Sequence, residues 1–133
     1  SSSAASDVYK RQKERTDKIV DQFEGLDSYR AKVNGKLTVS ENVADLGGVA
    51  CALEAAKRDK DFSVREFFVN FATIWRMKAR EEYMQMLASV DVHAPAKWRT
   101  NVIVSNFDEF HKEFDVKEGD GMWRAPEDRV IIW

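Results

Sequence analysis

The stretch from Ser40 to Gly48, S-E-N-V-A-D-L-G-G, constrains this chain more than any other. Glu41 and Asp45 are four positions apart at the head of a predicted helix, so both carboxylates lie on one helix face. Like charges at this spacing repel each other. Gly47 and Gly48 follow inside the same helix, and each costs about 1 kcal/mol relative to alanine. A sequence that accepts these local costs usually gains elsewhere, through a cation, a closely packed partner, or both.

Composition excludes several classes of protein. The chain has 133 residues, enough for one domain or part of a larger one, and 44% of them are hydrophobic and 33% charged, as in a globular protein. The net charge of −2 gives no electrostatic reason to expect nucleic acid as a partner. No apolar run approaches the roughly 20 residues that span a bilayer, so we expect no transmembrane segment.

Cys51 is the only cysteine, which rules out a disulfide within this sequence. It lies in an apolar helical stretch, and we predict that it is a small buried residue.

The first residues require separate treatment. The string S-S-A-A-S-D-V-Y-K-R-Q, from Ser2 to Gln12, is similar to a sequencing adapter translated in frame. We therefore interpret residues 1–12 as an artefact and exclude them from the fold argument, as a tag would be. Natural sequence is expected to begin near Lys13, and the natural protein is expected to extend further upstream.

The chain has mostly helical periodicity. Helices are predicted at residues 16–23, 40–58, 63–87 with a break near residue 80, 95–104 and 106–114. Residues 25–36 are predicted to form a loop with a turn at Asn34-Gly35, and residues 37–39 a brief extended piece. The apolar end, residues 130–133, is predicted to pack on the core.

Local signals mark several helix ends. Ser63 and Glu66 have the spacing of a capping box, and so do Thr38 and Glu41. Pro95 suits the first position of a helix. Ser105 or Asn106 could cap the last helix. His111 belongs to no recognisable motif and is predicted to be an exposed helix residue.

The acidic pair allows more than one interpretation from the residues alone. A carboxylate such as Glu41 can ligate zinc, and a second one a turn later, Asp45, can orient a neighbouring histidine ligand. A solvated acidic turn, stabilised by the helix macrodipole, explains the same spacing. Because E-x-x-x-D is common on helices, spacing alone favours the solvated turn.

Several motifs in order change this balance. They are Asn34 to Thr38 followed by Glu41 to Gly48, then Phe67 to Ala72 with Trp75, then Asp91 to Pro95 with Arg99, then Asn106, Phe110 and Phe114, and the terminal Trp133. Together they resemble the neprilysin and endothelin-converting-enzyme family of zinc metallopeptidases, which are gluzincins and include bacterial oligoendopeptidase-O-like enzymes. The implied fold is mainly α, the incomplete C-terminal helical portion of a thermolysin-like zinc peptidase catalytic domain, over residues 13–133.

The resemblance implies roles for individual residues. Glu41 would be the third ligand of one Zn²⁺ ion, and Asp45 would accept a hydrogen bond from a zinc-bound histidine. Gly47 and Gly48 would let the zinc-binding helix approach closely. His93 would stabilise the oxyanion of the reaction, with Asp91 as a candidate to orient it, and Arg99 would hold a backbone carbonyl of a peptide substrate.

The hallmark His-Glu-x-x-His motif of the family is absent from this sequence. We therefore expect the C-terminal fragment of a metalloendopeptidase that acts on oligopeptides, inactive by itself, with two zinc ligands in the missing N-terminal part. Two alternatives remain: a catalytically inactive helical binding module of the same fold, and a weaker one, a domain that binds a hard cation such as Ca²⁺ through Glu41 and Asp45.

Two departures from the family pattern bear on origin. Arg76 follows Trp75 where eukaryotic members carry a cysteine, and Ser40 replaces the commoner glycine before Glu41. A bacterial, disulfide-free member is expected. Its localisation is open, with an extracytoplasmic one slightly favoured over the cytoplasm. Truncation would also expose Glu41, Asp45 and the glycine face, so marginal stability or aggregation is expected.

Overall fold

The computed structural model describes residues 2–132. Its elements are α1 (Ser2–Phe23), β1 (Asp27–Ser28), β2 (Ala31–Lys32), α2 (Gly35–Ala56), α3 (Val64–Ile74), α4 (Glu81–Val90), α5 (Ala96–Val104), α6 (Asp108–Glu113) and a 3₁₀ turn (Pro126–Asp128). The predicted mainly helical fold is confirmed. Ser1 and Trp133 lie outside the described residues, and so does the predicted packing of Trp133.

The main core forms between α1 and α2, which pack along each other. Ile19 and Phe23 of α1 are fully buried and share one cluster with Leu46 and Val49 of α2. The first helix is longer than predicted, because it begins at Ser2 and not near residue 16. Residues 3–14 of this helix are exposed, so the buried part of α1 is its C-terminal third.

A short antiparallel hairpin joins α1 to α2. β1 and β2 pair through Ser28 with Ala31, and the turn between them places Tyr29 at a φ of 55°. The predicted loop at residues 25–36 therefore contains two short strands. α4 packs against this hairpin.

The start of α2 differs from the prediction. Asn34 is its N-cap, and the Asn34 side chain accepts a 2.9 Å hydrogen bond from Leu37 N. Residues 37–39 are therefore helical, so the predicted extended piece and the Thr38 capping box are wrong. Glu41 lies more than one turn deeper in the helix than expected.

Gly35 fixes how closely the two long helices meet at this point. A Cβ atom on Gly35 would lie 2.3 Å from the carbonyl oxygen of Val20 on α1, too close for any side chain. The backbone N–H of Gly35 also donates to Glu24 Oε2 at 2.7 Å. The Asn34-Gly35 pair thus serves as a helix start packed on α1, where the sequence indicated a turn.

Of the capping box predicted at the start of α3, the hydrogen bond to the Ser63 side chain is confirmed. Ser63 is the N-cap, and its hydroxyl accepts a 3.2 Å hydrogen bond from Glu66 N. The helical pattern stops after Ile74 and resumes at Glu81, so the predicted break near residue 80 is wider than a kink. Phe68 of α3 packs edge-on against Phe110 of α6 in a second, aromatic cluster.

Two predicted caps differ in the structure. Pro95 was predicted at the first position of α5 but is its N-cap, the residue just before that position. Phe107, and not Ser105 or Asn106, is the N-cap of α6. Asn106 does not cap. Its amide donates to Val102 O and to Gln22 Oε1, both at 2.9 Å, and its Oδ1 accepts from Val130 N at 2.9 Å. Asn106 therefore ties α5 to α1 and to the end of the chain.

Two burial predictions are wrong. Cys51 is exposed, because α2 buries its opposite face, which carries Leu46, Val49 and Leu53. His111 is buried at 6% exposure, because its Nε2 donates to Ser105 O at 2.8 Å between α5 and α6. At the end of the chain, Val130 and Ile132 are buried as predicted.

Across residues 2–132, no helix combines the length and the apolar character that crossing a membrane requires.

Candidate functional site

Glu41 and His93 meet at the surface of the molecule, although 52 positions separate them. Glu41 lies on α2, and His93 lies in the segment between α4 and α5. Glu41 Oε2 is 3.2 Å from His93 Nε2. The two side chains are 39% and 42% exposed, so both are within reach of solvent or of another chain segment.

Asp91 holds His93 from the other side. Asp91 Oδ1 accepts a hydrogen bond from the backbone N of His93 at 3.0 Å and lies 2.8 Å from its Nδ1. The hydrogen bond from the backbone N–H of His93 has the larger effect and the one from its ring the smaller, and together they lower the pKa of the Asp91 carboxyl from its ordinary value. His93 is thus placed between two carboxylates, and donating to both requires protons on both ring nitrogens.

Asp45 and Arg99 form a second link between α2 and the start of α5. Arg99 Nε donates to Asp45 Oδ2 and Arg99 Nη2 donates to Asp45 Oδ1, both at 2.7 Å. Each side chain is 15% exposed. A bidentate pair of this kind is directional, so it fixes the plane of the guanidinium as well as its position.

Trp75 lies under the guanidinium of Arg99, with Arg99 Cζ 3.9 Å from the centroid of the Trp75 ring. Beside this stack is a cavity of about 420 Å³. His93, Arg99 and Trp75 line it together with apolar side chains that include Met84 and Leu87. Two of the predicted site residues, His93 and Arg99, therefore border a pocket with a largely apolar wall and a few polar groups.

The two glycines of α2 differ in their surroundings. Gly47 is buried. Gly48 is exposed, and a Cβ atom at Gly48 would meet nothing within 4 Å. Among the residues that the structure describes, Gly48 therefore has no close neighbour, and its role in admitting another helix stays a prediction.

The carboxylate that faces His93 could serve as one zinc ligand. Glu41 offers a carboxylate, a normal ligand for zinc, on a rigid helix. Within residues 2–132, no group of three or more histidine, cysteine, aspartate or glutamate side chains could hold a metal ion.

The structure brings the four predicted residues together as two pairs, Glu41 with His93 and Asp45 with Arg99. Both oxygens of Asp45 accept from Arg99, and a carboxylate has further lone pairs, so its predicted contact with a zinc-bound histidine stays a prediction. The place of Trp75 under Arg99 was not predicted from the sequence. No sequence signal marks a stack between α3 and α5.

The sequence model of peptidase family M13 matches residues 2–130. The chain belongs to peptidase family M13.

Three relatives illustrate the similarity. The chain is 50% identical to a neutral endopeptidase of Lactococcus lactis over 125 residues, which cover 94% of this chain and 20% of that protein. Its fold is similar to the crystal structure of PepO from Lactobacillus rhamnosis, with a TM-score of 0.80, 40% identity, and coverage of 91% of this chain and 19% of that one. The zinc metalloprotease Zmp1 of Mycobacterium tuberculosis also gives a TM-score of 0.80, at 30% identity, covering 90% of this chain and 21% of that one.

The chain thus spans about a fifth of the length of the relatives that it matches. Four-fifths of a relative's chain has no counterpart in this sequence.

Proposed function

We propose that this chain is the C-terminal part of a zinc-dependent metalloendopeptidase that hydrolyses peptide bonds in oligopeptides. The observation that carries the proposal is that Glu41 pairs with His93 and Asp45 pairs with Arg99, while His93 and Arg99 line one cavity, in a member of peptidase family M13. A relative that is 50% identical is named a neutral endopeptidase, which supports the same activity for the intact protein.

In this proposal Glu41 is the third ligand of a single Zn²⁺ ion. Two further ligands come from the missing N-terminal part of the protein. The exposure of Glu41 and of Gly48 on α2 leaves that face of the helix open to such a segment. Zinc, when bound, would activate a water molecule and polarise the scissile carbonyl.

His93 has the role of oxyanion donor. Its Nδ1 is held by Asp91 at 2.8 Å, which fixes the ring and leaves Nε2 to point away from Asp91. A proton on Nε2 can be donated to the oxygen that becomes negative when water attacks the carbonyl. In the structure Nε2 faces the carboxylate of Glu41, the proposed zinc ligand, at 3.2 Å.

Arg99 has the role of substrate-binding residue, and Asp45 that of positioning residue. Asp45 takes the Nε and Nη2 groups of Arg99, which leaves the Nη1 group for a backbone carbonyl of the peptide. The free lone pairs of Asp45 can accept from a zinc-bound histidine and orient it. One carboxylate would then connect the metal ligands with the substrate-binding arginine.

The polypeptide in hand is proposed to be inactive by itself, because a single carboxylate does not hold catalytic zinc. Residues 13–133 form the peptidase part in this proposal, and residues 1–12 are adapter-derived. We propose that the intact protein is bacterial and that its substrate is a peptide. A location outside the cytoplasm is slightly favoured over a cytoplasmic one.

A second candidate is a helical binding module that kept the fold and lost catalysis. One observation favours it: Glu41 with His93, and Asp45 with Arg99, already satisfy each other without a metal. In a binding module these pairs would serve only to connect α2 with residues 91–99.

A chimera separates the two candidates. The matching region of the Lactococcus neutral endopeptidase is replaced by residues 13–133 of this chain, and zinc content and cleavage of a fluorogenic peptide are measured. Glu41→Gln should lose both zinc and activity. Glu54→Gln, a matched change on the exposed side of α2, should keep both.

Two outcomes would contradict the proposal. If Glu41→Gln retains full zinc and activity, Glu41 is not a ligand. If the unmodified chimera folds and binds zinc but cleaves no peptide, the inactive binding module is the better description.

A further inference from the structure

We infer that Trp75 is a positioning residue for the substrate-binding group of Arg99, an inference that rests on the proposed function. Trp75 would act by stacking under the guanidinium, so that Arg99 presents its Nη1 group to the peptide in one orientation. The role differs from that of a core residue, which would act on stability alone.

The geometry of the stack is that of a close cation–π contact. Arg99 Cζ lies 3.9 Å from the centroid of the Trp75 ring, well within the roughly 6 Å over which such contacts act. Tryptophan gives the strongest such contact of the aromatic residues. Both partners border the same cavity, so the contact lies at the site and not in the remote core.

Trp75 and Asp45 restrain different motions of the guanidinium. Asp45 binds its edge through Nε and Nη2, which fixes rotation within the plane. The Trp75 ring covers one face, which restrains tilting out of the plane. Within residues 2–132, Nη1 is the guanidinium nitrogen that neither restraint engages.

Trp75 is itself held in place. It is the C-cap residue of α3, and its ring packs edge-on against Phe71 of the same helix, with centroids 6.4 Å apart and planes at 75°. The stack therefore connects α3 to α5, while the Asp45 ion pair connects α2 to α5. Three helices fix one side chain.

The indole nitrogen indicates that Trp75 does more than fill space in the core. Trp75 Nε1 is buried and has no hydrogen-bond partner among the described residues. A phenylalanine would fill much of the same space without burying that N–H group. By contrast, Trp98 lies beside Lys97 at 4.4 Å and donates its Nε1 proton to Asp27 O at 2.7 Å, so it is satisfied as a structural residue.

The first test asks whether the stack exists in solution, using the 133-residue chain. The ring current of Trp75 should shift the Arg99 Hδ and Hε resonances upfield in an NMR spectrum. Trp75→Leu should abolish this shift, and Trp75→Phe should keep part of it. Phe71→Leu, which removes a neighbour of Trp75 and leaves the indole, should keep most of it. Unshifted Arg99 resonances in the unmodified chain would overturn the inference.

The second test asks whether the stack acts through Arg99, using the active chimera described above. Trp75→Leu should lower kcat/KM about tenfold, a size consistent with a desolvated cation–π contact. In an Arg99→Ala background the same change should have almost no further effect, because the two residues act as a unit. Trp75→Phe should recover part of the lost activity, and Trp98→Leu should leave kcat/KM unchanged.

The outcomes of the second test distinguish the possible failures. Equal effects of Trp75→Leu with and without Arg99 would show a purely structural role and overturn the inference while leaving the proposed function intact. An unmodified chimera with no activity would overturn the proposed function, and with it the role of Trp75 in binding substrate.

Discussion

Arg99 and Asp45, 54 positions apart in the sequence, form a bidentate ion pair in which both N–O distances are 2.7 Å. The pair is a mostly buried polar link between α2 and α5, since both side chains are only 15% exposed. Together with the contact between Glu41 and His93, it sets where residues 91–99 lie relative to α2. The candidate site is therefore a product of the contact between these two segments.

Removing one partner of this pair should destabilise the fold. Asp45→Ala leaves the Arg99 guanidinium without its carboxylate in a mostly buried position, and such losses cost about 3 kcal/mol. We expect the free energy of unfolding of the 133-residue chain to fall by about that amount. Urea denaturation followed by circular dichroism measures it.

Asp17→Ala is the control, since Asp17 also pairs with a cation, Lys13, at 2.6 Å, but both side chains are more than half exposed. Exposed pairs contribute about 0–1 kcal/mol, so this variant should differ little from the unmodified chain. Equal losses in both variants would show that the burial of the Asp45 pair is unimportant.

The hydrogen bonds to Asp91 should make stability depend on acid pH. Because the pKa of Asp91 is lowered in the folded chain, the native state favours its charged form. The stabilisation is fully present above the unfolded pKa of about 3.9 and is lost as pH falls through the lower, folded value. Asp91→Asn should reduce stability at pH 6 and flatten its decline below about pH 4.

Urea titrations at several pH values from about 6 down to 3 measure this slope. Asp61→Asn, a change at an exposed aspartate, serves as the control and should keep the slope of the unmodified chain. A slope in Asp91→Asn as steep as in the unmodified chain would assign the acid dependence to other carboxylates.

The features that could be predicted from sequence are those that local chemistry decides. The N-cap at Ser63 involves residues three apart, and its hydrogen bond from Glu66 N forms as expected. The helical content follows from periodicity, which reports the face that each helix buries. The motif order from Glu41 to Arg99 identified the family before any contact was known.

The features that could not be predicted depend on which surfaces meet. Asn34-Gly35 has the same local chemistry in a turn and at a helix start, and the approach of Val20 to Gly35 decides between them. Cys51 and His111 were misassigned because burial follows the packing of α2 and α6, which periodicity alone does not fix.

For the site, the sequence named the residues but not their pairing. The spacing of Glu41 and Asp45 shows that they share a helix face. It does not show that His93 and Arg99 occupy that face, since this requires the path of the chain from α4 to α5.

The burial of His111 leads to a further prediction. His111→Ala removes the hydrogen bond to Ser105 O and leaves a cavity between α5 and α6, so we expect a loss of about 2 kcal/mol in the free energy of unfolding. Lys112→Ala, at the exposed neighbouring position, should change it by less than about 0.5 kcal/mol. Thermal unfolding of the two variants measures the difference. If both variants melt at the same temperature, His111 makes no net contribution to stability.

Deletion of residues 1–12 should leave the fold unchanged. Residues 3–14 are exposed along α1, and the buried contacts of this helix begin near Ile19. We expect the melting temperature to shift by less than about 2 °C, because exposed positions contribute little to stability. Differential scanning calorimetry of the full and shortened chains provides the measurement. A loss of cooperative unfolding in the shortened chain would show that these residues belong to the fold.

The 133-residue chain by itself should neither cleave peptides nor hold zinc. Glu41 supplies one carboxylate, and no group of three candidate ligands exists in residues 2–132, whereas a catalytic zinc site uses three protein ligands. Titration calorimetry with ZnCl₂ should give the same weak heats for the unmodified chain and for Glu41→Gln, and a fluorogenic peptide should stay intact in both. Stoichiometric zinc binding that Glu41→Gln abolishes would contradict this expectation. It would show that a second copy of the chain, or ligands outside the expected set, completes the site.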